Sequence, residues 1–245
     1  MTVLSVQLYS LRDAITPETA DAVLDKLTAA GANAIEGFAP ERFADWLPEA
    51  LRRHGISSPS IHARIVDNDD LDALFAICKD FGTKTIFLPH YDPSAFASAE
   101  QLDVLADKLN ALVPVAEAAG FRIGYHNHDF EFKHEVNGTT GYEYLVSKLD
   151  DKVLLELDTF WAAFGGQDVP ALLAKLGDRV THLHIKDGRL DERADNVAVG
   201  TGELDVDSIL EAGRDKVWVV EFDSCGTDVV QATVESLQYV AGKRA

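Results

Sequence analysis

The strongest constraint in this sequence is its rhythm. Short apolar runs alternate with amphipathic stretches along the whole chain, the mark of βα units feeding a parallel sheet. Strands are predicted over Val3–Leu8, Ala34–Glu36, Ser57–His62, Thr85–Leu88, Arg122–His126, Val153–Asp158, Val180–Lys186 and Val217–Glu221. Helical patterns fill the gaps: Thr16–Ala30, Glu41–His54, Leu71–Phe81, Ala99–Ala119, Gly141–Leu149, Val169–Leu176, Val206–Ala212 and Asp228–Val240. The first of these places Pro17 in its opening turn and Gly31 just beyond its end, a clear start and stop. Eight strands alternating with eight helices close most simply as a (β/α)₈ TIM barrel. An open doubly wound sheet is the competing arrangement, but no G-x-G-x-x-G follows the first strand. No linker or low-complexity tract interrupts the pattern, so residues 1–245 read as a single domain.

Composition narrows the partners. Lys and Arg number 22 against 41 Asp and Glu, a net charge of −19. A surface that acidic repels phosphate backbones and anionic bilayers, so neither nucleic acid nor membrane is expected as a partner. No apolar run approaches the roughly 20 residues of a membrane span. Met1 to Leu11 lacks a basic n-region, so no secretory leader is expected. Cys78 sits in a helical pattern and Cys225 in a loop, without metal-type spacing, which suits a reducing cytoplasm and no disulfides.

A barrel of this kind carries its active site where the strands end. Polar residues cluster there: Glu36, His62, His126-Asn127-His128, Asp158, His182, His184, Lys186, Asp187, Glu221 and Asp223. Side-chain alternation sharpens the choice. His182, His184 and Lys186 share one face of their strand; Glu156 and Asp158 share another, with Glu156 one layer deeper; Glu221 lies on the face of Val219. If those faces point inward, two carboxylates and at least one imidazole converge. Such a mixed N/O set, without thiolates, suits one divalent ion: Mn²⁺, Mg²⁺, Co²⁺ or Zn²⁺.

The segments Tyr125-His-Asn-His-Asp-Phe-Glu-Phe132, Glu156-Leu-Asp-Thr-Phe-Trp161, His182-Leu-His-Ile-Lys-Asp187, Gly200-Thr-Gly-Glu-Leu-Asp205 and Val220-Glu-Phe-Asp223 resemble the xylose-isomerase-like barrels. That family includes sugar epimerases, sugar isomerases and inosose dehydratases, and the resemblance runs along essentially the whole chain. It implies metal ligands at the ends of strands five to eight. Asp158, His184 and Glu221 match the last three. Many relatives have Glu-Asn-His on the fifth strand where this chain has His126-Asn127-His128. His126 is therefore the expected fourth ligand, with His128 and Glu131 as alternatives.

The remaining expectations concern substrate, a small sugar or polyol. Glu36 is expected to meet a hydroxyl, His62 and His128 to line the substrate site, and Trp161 to offer a stacking wall. Lys186 would hold a substrate oxygen, while His182 reads as a buried structural histidine. The implied chemistry is proton transfer next to a sugar carbonyl through a metal-stabilised enediolate, with Glu221 as first base and Glu131 or a fifth-strand histidine opposite. Reprotonation gives an epimer or an aldose–ketose isomer. Expulsion of a β-substituent would make the enzyme a lyase or dehydratase on inososes or 3-keto sugars and glycosides, and a hydrolase remains within that alternative. A sugar-binding protein without catalysis is the less expected outcome, and a homodimer is compatible with the sequence.

Overall fold

Period-two alternation decides what each strand shows to the barrel interior and what it shows to the helices. In the computed structural model, which describes residues 3–243, eight strands carry this pattern: β1 (Leu4–Gln7), β2 (Ala34–Phe38), β3 (Ser60–His62), β4 (Thr85–Leu88), β5 (Arg122–His126), β6 (Leu154–Asp158), β7 (Val180–Ile185) and β8 (Val217–Val220). Each pairs in parallel with the next in chain order, and β8 returns to β1, so the sheet is closed. Closure excludes the doubly wound alternative, which needs two free edges. The first two residues of the Met1–Leu11 leader expectation and the outer bounds of the 1–245 domain fall outside the described residues. Among those described, no helix is long and apolar enough to cross a membrane.

Nine α-helices surround the barrel among the described residues: α1 (Ala20–Ala29), α2 (Leu47–His54), α3 (Leu71–Asp80), α4 (Ala99–Ala119), α5 (Gly141–Lys148), α6 (Thr159–Phe164), α7 (Val169–Leu176), α8 (Val206–Ala212) and α9 (Val229–Gly242). Three depart from the sequence reading. α1 starts at Ala20 because Thr16–Thr19 forms its own turn, closed by the Thr16 amide donating to Thr19 Oγ1. Pro17 therefore precedes the helix instead of opening it. α2 starts at Leu47, since Pro40–Arg42 forms a separate 3₁₀ turn. The extra helix is α6, nucleated by Asp158: its Oδ1 accepts from the Trp161 amide at 2.9 Å.

The helix-facing positions Leu4, Ile61, Leu155, Leu157, Leu183 and Ile185 join one hydrophobic cluster with the helices. The alternate positions leave an interior unusually polar for a barrel, with Gln7, Glu36, His62, His126, Glu156, Asp158, His182 and His184 all buried. Phe87 fills part of that interior because its neighbour is Gly124, where a Cβ would fall 2.4 Å from the Phe87 ring. Register then sets the functional pairs. His126 stands beside Glu156, and Asp158 beside His184, after an irregularity between Leu155 and Glu156 re-phases β6 against β7.

Candidate metal centre and active site

Four of the expected residues converge at the ends of β5 to β8. His126, Asp158, His184 and Glu221 each offer a ligand atom, and these atoms lie within 4.8 Å of one another. First-row metal sites hold N and O ligands at about 2.0–2.2 Å, so donors on opposite sides stand about 4 Å apart. The set fits with a small contraction. Asp158 meets the requirement through a division of labour: Oδ1 caps α6, while Oδ2 faces the cluster, where it meets Lys186.

The cluster is built in two tiers. Its upper tier holds the four donors beside Lys186, whose ammonium lies 2.8 Å from Asp158 Oδ2, from Glu221 Oε2 and from Asp223 Oδ2. This buried cation already stands between the two carboxylates that a metal would use. Beneath lies a second tier of Glu36, Glu156 and His62. Glu156 Oε2 is met by His62 Nε2 at 2.5 Å, by His126 Nδ1 at 3.1 Å and by His184 Nε2 at 3.3 Å. Glu36 Oε1 takes His184 Nε2 at 2.7 Å and the Gln7 amide at 2.9 Å. Each shared imidazole is therefore strung between tiers. His184 presents Nδ1 to Glu221 at 2.5 Å and Nε2 downward; His126 presents Nε2 toward Asp158 at 3.8 Å and Nδ1 downward.

Electrostatics separates these groups. Burial raises the Glu36 carboxyl, and the neighbouring Glu156 raises it further. Burial would raise Glu156 as well, but His184 and His62 outweigh it and hold that carboxylate well below its usual range. Glu221 is held low in the same way, by Lys186 and His184. Asp158 is pushed up to about 6 by burial despite Lys186. Burial lowers His126 to about 3, which leaves a neutral imidazole, the form that ligates metals. His184 is driven the other way, well above its usual range, by Glu156 and Glu221 overcoming burial.

Above the upper tier opens a cavity of about 640 Å³, whose lining includes His62, His126, His128, Glu221 and Asp223. Glu221 Oε2 is taken by His184 and Lys186, leaving Oε1 without a hydrogen-bond partner among the described residues. His128 is partly exposed at the mouth, stacked on Phe130, with an imidazole pushed well below its usual range by burial and by His126. Of the two fifth-strand histidines, only His126 joins the four-donor set.

Glu36, Glu131, Trp161 and Lys186 are not part of the cavity lining. Glu36 meets His184 through Oε1, while its Oε2 is buried without a hydrogen-bond partner. Glu131 accepts from the Tyr125 hydroxyl and the His128 amide, both at 2.9 Å, which ties it behind the β5 loop. Trp161 is buried and donates Nε1–H to Asp223 Oδ2 at 3.1 Å, with Lys186 Nζ 5.7 Å from its ring. Asp223 Oδ2 in turn meets the Lys186 ammonium, so the indole and the lysine share one carboxylate. His182 packs edge-on against Phe87 and bonds Thr181 Oγ1, as a structural histidine does.

Glu156 received no role from the sequence, although the alternation in Leu155-Glu-Leu-Asp placed it one layer below Asp158. Gln7, a lone amide at the end of an apolar strand, went unmarked. Asp187 proves to organise the loop after β7, its carboxylate accepting from the amides of Gly188, Gly200, Gly202 and Leu204. Gly202 is required there, since a Cβ would fall 2.1 Å from Asp187 Oδ1.

Known proteins share this frame. An inosose dehydratase from Clostridium beijerinckii is 35% identical over 97 residues, 39% of this chain and 32% of that relative, so the match spans about a third of the relative's length. A sugar phosphate isomerase/epimerase from Parabacteroides distasonis superimposes with a TM-score of 0.78 at 19% identity, covering 97% of this chain and 95% of its own. The IolI protein with a binding zinc atom superimposes with a TM-score of 0.69 at 20% identity, over 100% of this chain and 96% of its own. The model of the xylose isomerase-like TIM barrel matches residues 5–237, from β1 into α9. With that pattern spanning nearly the whole closed barrel and its strand-end donors, the chain belongs to the xylose isomerase-like TIM-barrel family.

Proposed function

We propose that this chain is a divalent-metal-dependent enzyme that moves a proton next to the carbonyl of a sugar or polyol derivative, as an isomerase or epimerase. The observation that carries the reading is the pair of imidazoles strung between tiers. Metal-ligating histidines typically donate their second ring N–H to a carboxylate, which fixes tautomer and orientation. His126 and His184 each have an upper-tier carboxylate toward one nitrogen and a buried carboxylate at the other.

His126, Asp158, His184 and Glu221 would hold the ion. Bound there, a divalent cation supplies Lewis-acid polarisation of a carbonyl and its neighbouring hydroxyl. The protein does the rest. Glu221 lines the cavity, and its Oε1 takes the α-proton while Oε2 stays anchored by Lys186. Protonated Glu221 then gives that proton back at the second position, while His128, lining the same cavity, accepts the neighbouring hydroxyl proton and passes it to the former carbonyl oxygen. Glu131 holds the His128 backbone amide and acts through it as a positioning residue. Lys186 keeps Asp158 and Glu221 ionised, and Trp161 with Asp223 holds the lysine in place.

Elimination of a β-substituent is the second reading, favoured by the match to an inosose dehydratase. Both outcomes share the proton abstraction and part afterwards. NMR in D₂O with a panel of free sugars, inososes and 3-keto-glycosides, with Mn²⁺ present, tests this. Deuterium entering a C–H beside the carbonyl without loss of water supports epimerisation or isomerisation. Loss of water with a new unsaturated carbonyl supports the lyase. Absence of metal-dependent exchange across the panel would sink both.

A further inference from the structure

The cavity is larger than its metal end. From His126 and Glu221 it runs past β3 to a wing formed by Phe38, Ala63, Ala73, Leu74 and Ile77, with Pro89 alongside. None of those six side chains can donate or accept a hydrogen bond. Polar groups along the wing are already engaged or lie at its exposed rim. Asn68 donates to the Arg64 carbonyl and accepts from the Asp70 amide, both at 2.8 Å, and Asp70 caps α3 through the Ala73 amide. Glu41 and Arg64 are exposed to solvent.

At the mouth of the wing Tyr9 is 38% exposed, one face of its ring covered by the Arg12 guanidinium 3.9 Å from the centroid and the ring 5.3 Å edge-on from Phe38, so an aromatic pair borders the wing where it begins. The backbone is strained at the same place. Ala39 sits at φ 39° and ψ 62°, a left-handed conformation rare for a non-glycine residue, directly before Pro40. Such outliers persist only where surrounding structure enforces them, and they concentrate at ligand sites.

Resting on the metal-dependent sugar chemistry above, we propose that the substrate carries an apolar, ring-sized substituent that occupies this wing, as in an aryl glycoside. A second sugar does not fit the chemistry of the wall. Each hydroxyl set against Leu74 or Ile77 would lose its water without gaining a partner, a cost that accumulates over several hydroxyls. A free monosaccharide would leave water against apolar side chains, which is the arrangement that burial of an apolar group relieves.

The test is titration calorimetry of the Mn²⁺-loaded protein with phenyl and methyl glycosides of several hexoses, and with cellobiose. At least one phenyl glycoside should bind roughly ten- to a hundred-fold more tightly than its methyl partner, the effect of burying one aromatic ring. Ala73 is exposed on α3, so Ala73→Phe can fill the wing without disturbing the core, and it should erase that ratio while Mn²⁺ stoichiometry stays unchanged. Ile77→Thr should reduce the ratio in the same direction. Equal phenyl and methyl affinities, tightest binding of cellobiose, or no binding of any phenyl glycoside overturns the inference. Mn²⁺ is titrated first: binding of the ion without aryl preference fails this inference alone, whereas aryl preference without Mn²⁺ binding fails only the metal reading.

Discussion

Asp158 and Glu156 are two residues apart on one face of β6, both fully buried, both surrounded by histidines and strand-end charges. Their circumstances differ all the same. Asp158 turns its second oxygen to the Lys186 ammonium in the tier that meets the cavity, and burial lifts its carboxyl to about 6. Glu156 has three imidazole nitrogens within 3.3 Å of one oxygen and is held firmly ionised by them. In the proposed reading, one strand step, about 6–7 Å, separates a carboxylate that binds the ion from one that aims the side chains around it. A buried carboxylate pair therefore need not be a catalytic pair, and depth along the strand tells the two roles apart.

The largest effect should come from the upper tier. Glu221→Gln should lower turnover about 10²–10⁴-fold, the usual loss on removing a general base. Glu211→Gln, an exposed control on α8 paired with Arg214, should leave it unchanged. Steady-state rates on any substrate found in the D₂O panel check this, and similar losses in both variants would mean that the tier is misassigned. Next comes the lower tier. Glu156→Gln should weaken metal binding about 10–100-fold, with one ion still bound at saturation, as for loss of a carboxylate behind a ligating histidine. If Glu156→Gln abolishes the site while Asp158→Asn keeps it, the ion belongs to the His62, His126, Glu156 and His184 set instead.

Metal itself should stabilise the fold. At a hundred times its dissociation constant it adds about 2.7 kcal/mol, or about 5–10 °C in Tm for a chain of this size. Differential scanning with and without EDTA reads the shift, which should shrink in Glu156→Gln at a fixed ion concentration. Glu131, outside both tiers, is read through pH: its carboxyl is pushed from 4.5 up to about 8 by burial. Its folded pKa is raised, so between about 4.5 and 8 the native state keeps a proton that the unfolded chain releases. Stability should fall as pH rises through that window and level off above it. Glu131→Gln should flatten the slope, and an unchanged slope in a denaturation series from pH 5 to 8 would place the linkage elsewhere.

Legibility from sequence tracked locality. β7 is readable because Leu183 and Ile185 alternate with His182 and His184, β8 because the unbroken apolar run Val217–Val220 stops at Glu221, and closure follows from counting such strands. α6 is not, because Thr159-Phe-Trp-Ala-Ala-Phe164 looks like a continuation of β6 until Asp158 is seen to cap it. The donors Asp158, His184 and Glu221 stood out as isolated charges at strand ends. Glu156 carried the same signal one layer deeper, but its partners His62 and His184 come from other strands, His62 lying 94 positions away in sequence. A burial network of that span has no one-dimensional signature. The contacts of Glu36 and Glu131 are hidden for the same reason: a strand-end or loop carboxylate reads alike whether it faces the cavity or turns to a histidine behind it.

The central claim is that the upper tier binds one divalent ion through His126, Asp158, His184 and Glu221. Calorimetric titration of the metal-stripped protein with Mn²⁺ or Zn²⁺ tests it most directly. About one ion per chain should bind, and in Asp158→Ala the affinity should collapse while circular dichroism shows the barrel intact. No heat of binding in the native protein, or undiminished affinity in Asp158→Ala, would contradict the account.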